Sequence, residues 1–100
     1  MAGGYTILSL DISSTLGWAF IKDAGIIQSG TVALTRKDAH PGDRFIRFQN
    51  WLSNWRAVQE IIYEDVPRFE SAAAAKSYCG YLAIIQMFCL VQGIRLTSIK

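Results

Sequence analysis

The feature that most restricts what this chain can become is Asp11, a carboxylate near the end of an otherwise apolar run from Tyr5 to Ile12. Consecutive apolar and β-branched residues read as a buried strand. An ionised carboxylate at the end of such a strand is costly unless a cation or hydrogen-bond donors meet it. The pattern recurs in Val58 to Val66, a second apolar stretch centred on Ile61-Ile62-Tyr63, where Glu64 takes the late position and Pro67 closes the strand. Two strands that each end in a carboxylate point to a sheet whose strand ends converge on one charged site.

The remaining elements fit around these two. Ser13-Ser14-Thr15-Leu16-Gly17 is a turn, Trp18 to Lys22 a returning strand, and Asp23-Ala24-Gly25 the next turn. Ile26 to Leu34 is a third strand, with Gly30 a bulge or close approach. Thr35 to Gly42 is a polar loop. Asp43 reads as the N-cap of an amphipathic helix of about four turns that carries Phe45, Phe48, Leu52 and Trp55 at three- and four-residue spacing. These residues and Trp51 form a core stripe. Arg68 to Ser71 is a loop, Ala72 to Gln92 a long helix ended by Gly93, and Ile94 to Ile99 a fifth strand. Three meandering strands followed by α/β units predict a mixed five-stranded sheet with helices on its faces. Strands one, four and five should be parallel, and strand two antiparallel to strand one. Ligand sites in such sheets lie at the carboxyl ends of the parallel strands, which would put Asp11 and Glu64 side by side.

One hundred residues make one domain, spanning 1–100. A net charge of +2 permits a nucleic-acid partner without requiring one. The distribution is more informative, because no carboxylate follows Glu70. Cys79 and Cys89 lie ten helical positions apart, roughly 15 Å, too far for a mutual disulfide. They read as buried thiols in a reducing compartment. The start lacks a basic segment followed by an apolar one, and the apolar run Tyr81 to Val91 is short and broken by Gln86, so a cytoplasmic protein with no membrane partner is expected. His40 has no Cys or His at ligand spacing, which argues against zinc.

The segment Ile7-Leu8-Ser9-Leu10-Asp11-Ile12-Ser13-Ser14-Thr15-Leu16-Gly17-Trp18-Ala19 resembles the opening of RuvC-type Holliday-junction resolvases, in particular phage-type members. In that family a strand ends in a metal-binding Asp, and a short Ser/Thr turn leads to a Gly and an aromatic. Ile61-Ile62-Tyr63-Glu64-Asp65-Val66-Pro67-Arg68-Phe69 resembles the family's second motif, a strand ending in a metal-binding Glu. The alanine-rich helix with Gly80 and Tyr81 and the strand after Gly93 also match. The resemblance runs from Tyr5 to Lys100.

It implies a ribonuclease H-like fold and a crossover junction endodeoxyribonuclease that hydrolyses phosphodiesters in branched DNA. Mg²⁺ or Mn²⁺ would bind to Asp11 and Glu64, the protein would act as a homodimer, and no small-molecule cofactor is implied. The chain departs from the family in two places. The usual Gly soon after the first Asp is replaced by Ile12-Ser13-Ser14. The family's last acidic pair sits on a helix after strand five, and these 100 residues hold no such helix, so the chain reads as the N-terminal part of the domain.

Other candidates follow from chemistry. Ser13, Ser14 and Thr15 could contact phosphate through hydroxyls and backbone N–H groups, or simply form a hydrogen-bonded turn. The resemblance implies that Phe69, in the loop after Glu64, stacks on a DNA base at the junction; the alternative is ordinary packing on the second helix. Arg36, Lys37, Arg44, Arg47, Arg68 and Lys76 are the available phosphate partners, with Arg68 and Lys76 nearest the Glu64 loop. Asp65 should point to the sheet face opposite Glu64. Two rival readings remain: a non-catalytic DNA-binding or dimerisation module, and an ATP-binding fragment of the actin-like and sugar-kinase group.

Overall fold

The computed structural model describes residues 4–66 and 68–100. Pro67, the expected strand terminator, lies outside the described residues. The order of elements is β1 (Thr6–Asp11), β2 (Thr15–Lys22), β3 (Gly25–Ala33), α1 (Asp43–Leu52), β4 (Glu60–Glu64), α2 (Ala72–Gln92) and β5 (Arg95–Ile99), with a short 3₁₀ turn, Ser53–Trp55, after α1. The five strands form one sheet in the order β3-β2-β1-β4-β5. The pair β1–β2 is antiparallel, and β1–β4 and β4–β5 are parallel, as the element order predicts.

Alternation along the strands sorts the side chains onto two faces. Leu8, Leu10, Leu16 and Ile61 fall on one face and are buried, together with Phe48 and Leu52 of α1 and Tyr78, Tyr81, Ile85 and Cys89 of α2. Both helices therefore cover the same face. They pack closely: a Cβ at Gly80 would lie 2.4 Å from the Phe45 ring, so α1 and α2 cross where α2 has no side chain. By length and composition α2 is apolar enough to cross a membrane, yet its Tyr78–Tyr81–Ile85–Cys89 stripe is in the core. Ser71 caps its start by accepting from the Ala74 N–H, and Gly93 ends it in the left-handed conformation, φ 70°.

Several expectations need correction. Gly42, not Asp43, is the N-cap of α1. The Asp43 carboxylate instead accepts two hydrogen bonds from the Arg36 guanidinium, at 2.7 and 3.1 Å, and this partner holds it below the usual carboxylate range. The bulge of the β2–β3 ladder lies at Phe20/Ile21, while Gly30 provides the close approach by lying under the Trp18 ring. Of the cysteines only Cys89 is buried, and burial pushes its thiol up to about 11; Cys79 is exposed. Strand β4 is shorter at each end than its apolar run.

Candidate active site

Asp11 is the last residue of β1, and Glu64 the last residue of β4. The parallel register pairs Leu10 with Tyr63, so the next residues, Asp11 and Glu64, stand level on adjacent strands. Neighbouring strands run about 4.8 Å apart, and residues in register share a face. That face is the one without helices. The two carboxylates line one cavity of about 280 Å³ with Ser9, Ile62 and Ile99. Both residues are exposed, and neither carboxylate has a salt-bridge partner among the described residues. Two like charges side by side with no cation repel each other.

Gly17, opposite Asp11 in the β1–β2 ladder, was read in the sequence as the end of a turn and as the Gly of the first resemblance motif. A Cβ there would lie 3.4 Å from Asp11 Cβ and 3.9 Å from Oδ2, so the missing side chain leaves room beside the carboxylate. This role follows from ladder register, and no local signal reveals it.

The other expected residues divide between two places. Ser13 and Ser14 lie on the helix-covered side, where they line a second cavity of about 280 Å³ with Arg44, Phe69, Ser77, Tyr78 and Tyr81. The Ser13 hydroxyl donates to the Thr15 carbonyl at 2.6 Å, which is the hydrogen-bonded turn expected of this segment. Thr15 is exposed at the start of β2. Phe69 is 37 % exposed and leans on Tyr78, ring centres 5.1 Å apart. Arg68 and Lys76 are exposed. The Tyr78 hydroxyl donates to the Glu64 carbonyl at 3.1 Å and so ties α2 to the strand end that carries the carboxylate. The Asp65 N–H donates to the Ile99 carbonyl, holding the chain beside β5 just past Glu64.

A divalent ion fits the donor set in part. Magnesium takes hard oxygen ligands and is often held by one or two carboxylates plus substrate phosphates. Asp11 and Glu64 supply that minimum. Among the described residues no cluster of three or more His, Cys, Asp or Glu side chains could hold an ion without substrate or further ligands.

The backbone matches solved structures of one group. Thermus thermophilus RuvC in complex with a Holliday junction substrate superposes with a TM-score of 0.75 at 12 % identity, covering 95 % of this chain and 64 % of that one. The yeast mitochondrial Holliday junction resolvase Ydc2 gives 0.69 at 14 % identity, over 99 % of this chain and 52 % of that one. The chain has the RuvC-type, ribonuclease H-like fold. A more distant likeness is YeaZ from Pseudomonas aeruginosa, TM-score 0.54 at 14 % identity. No protein-family model and no curated protein matches the sequence. The chain thus spans less than two thirds of the RuvC and Ydc2 chains it resembles.

Proposed function

We propose that the protein is a RuvC-like, metal-dependent endonuclease that acts on branched DNA. The observation that carries the reading is the pair Asp11 and Glu64, level at the carboxyl ends of two parallel strands and lining one cavity with no cationic partner among the described residues. Asp11 and Glu64 would hold Mg²⁺ or Mn²⁺, which when bound activates water and stabilises the leaving oxygen of a phosphodiester. The chain's own groups do the rest. Gly17 keeps the space beside Asp11 clear. The Tyr78 hydroxyl fixes the Glu64 backbone. Arg68 and Lys76 supply positive charge toward the phosphates, and Ser13, Ser14 and Thr15 offer hydroxyls and N–H groups at the strand end. Phe69 offers an aromatic face to an unstacked base.

The exposed apolar end of α2, with Met87, Leu90 and Val91 at 59, 83 and 78 % exposure, offers an apolar face for a homodimer. Two-fold symmetry would supply two sites for two symmetric cuts. The ATP-binding alternative has less support, because phosphate cradles of that kind use Gly-rich turns and the turn here is Ser13-Ser14-Thr15.

A gel-shift comparison of a four-way junction with a linear duplex tests the reading. The junction is expected to bind more tightly, and equal affinity would overturn it. In Mg²⁺ the 100-residue chain is expected to cut the junction weakly, because two carboxylates leave ions loosely placed and a positional error of ~1 Å costs on the order of 100-fold in rate. Robust Asp11-dependent cutting in a time course would show that these 100 residues complete the site.

A further inference from the structure

The sheet has two open edges, and they are built differently. Strand β5 is five residues long and begins with Arg95; shortness and charge both guard an edge against pairing. Strand β3 is nine residues long and holds no charged residue and no proline. All of it is exposed except the half-buried Val32, and Ile26 and Ile27 are 68 and 62 % exposed. Its inner side pairs with β2, and its outer side has no strand beside it among the described residues. Such an edge presents a row of free N–H and C=O groups to a strand of matching register. The bulge against Phe20/Ile21 lies near the start of β3, so the stretch from Gln28 to Ala33 is a regular ladder.

Pairing with β2 fixes the side to which each residue of β3 belongs. Leu16 is in the core, and Trp18 and Phe20 pack on Trp55, so their partners Val32, Gly30 and Gln28 face the helices. Gly17 and Ala19 pair with Thr31 and Ser29, which share the open face with Asp11. Residues opposite each other in a ladder lie on one face. Antiparallel pairing of β3 with a second copy of itself meets this condition about Gly30. Ser29 then stands opposite the partner's Thr31 on the open face, and Gln28 opposite the partner's Val32 on the helical face. Centring on Ser29 fails, because the bulge leaves Ile26 on the open face, opposite a Val32 on the other. Centring on Thr31 fails too, because it needs Leu34, which is buried and whose N–H donates to the Ser14 carbonyl. The ends also match in charge. Asp23, in the turn before β3, and Lys37, in the loop after it, are exposed and have no salt-bridge partner among the described residues. Antiparallel pairing brings Asp23 of each copy toward the other copy's basic end.

We propose that β3 pairs edge to edge with β3 of a second copy, antiparallel and centred on Gly30, and so joins two five-stranded sheets into one. The contact is separate from the apolar end of α2, and it stands whether or not the protein is a nuclease. The two-fold axis of such a pairing runs perpendicular to the sheet, so both open faces look the same way. Five strand spacings of ~4.8 Å then separate the two copies of β1, which puts the two Asp11–Glu64 pairs about 24 Å apart on one side of the assembly.

The test is sedimentation velocity of the whole chain over a concentration series, with amide hydrogen exchange read on β3. Wild type should associate reversibly, and exchange from Gln28 to Val32 should slow as concentration rises. Ser29→Lys combined with Thr31→Lys sets like charges directly opposite each other twice and should weaken association about tenfold. Ser29→Lys combined with Thr31→Glu sets opposite charges there and should restore it. Met87→Lys, on the α2 face, should leave the slowed exchange of β3 in place. Circular dichroism verifies the fold of each variant; if one fails to fold, the concentration dependence of exchange in wild type decides alone. A monomer at every concentration, equal association of the two double variants, or association that only Met87→Lys removes would overturn the proposal.

Discussion

Strand β4 carries a glutamate at each end, on the same sheet face, and the two have opposite surroundings. Glu60, at the start, accepts from the Tyr5 hydroxyl at 2.9 Å and the Thr97 hydroxyl at 2.5 Å, with Arg95 3.9 Å away. The Thr97 bond outweighs the opposing effect of burial, and with Tyr5 and Arg95 it holds Glu60 below the ordinary carboxylate value. Glu64, four residues on, stands between Asp11 on one side and Ile99 on the other and has no salt-bridge partner among the described residues. One carboxylate is built into the fold and the other has no salt-bridge partner among the described residues. Satisfied charges mark architecture, and charges gathered without partners mark chemistry.

The largest test of this contrast is metal affinity. Titration of the junction-bound protein with Mn²⁺, followed by calorimetry, should show binding that Asp11→Asn or Glu64→Gln abolishes and Glu60→Gln leaves intact. Loss of binding in Glu60→Gln alone would reverse the assignment of the two ends.

Stability should respond the other way. Glu60→Ala removes the acceptor shared by Tyr5 and Thr97 and should cost about 1 to 3 kcal/mol in urea unfolding. A smaller effect is expected from pH. A carboxylate with a lowered folded pKa stabilises above its ordinary value, 4.5 for Glu60, and that contribution fades as pH falls through the folded value. Stability of wild type should therefore drop more steeply below this pH than that of Glu60→Gln, as measured by thermal midpoints across the acid range. The smallest effect belongs to Glu64→Gln in the metal-free protein, whose stability should stay within about 0.5 kcal/mol of wild type. A large loss there would mean that Glu64 is structural after all.

Much of this arrangement was legible in the sequence, for physical reasons that differ by element. Helix α2 has the bounds expected of it because Ser71 and Gly93 supply terminal chemistry at both ends. Its rotation about its axis was not legible, because nearly all of its residues are apolar and no stripe stands out; that is why Cys79, next to buried Tyr78, was expected inside. Strand β4 was overextended because Val58 and Val66 are apolar for packing rather than for pairing. The N-cap was misplaced because Asp43 is drawn to Arg36, seven residues earlier, which propensity does not register. The levelness of Asp11 and Glu64 was readable, since parallel strands ending in carboxylates bring their ends together. The Arg44–Ser77–Tyr81 cavity was not, because its polar groups come from two helices whose meeting is set only by packing.

That meeting depends on the gap at Gly80. With Phe45 lodged against the bare backbone, α1 and α2 are keyed to each other like a pin in a slot, and neither can slide along the other. Arg44 is the residue before the pin, and Ser77 lies one turn before the slot, so the same contact aligns the floor of the second cavity. A methyl group at position 80 would force the Phe45 ring aside and push the helices apart. It would shift a guanidinium that it never touches, so a mutation buried between two helices should appear first as a loosened Arg44–Ser77 contact, before any loss of the fold.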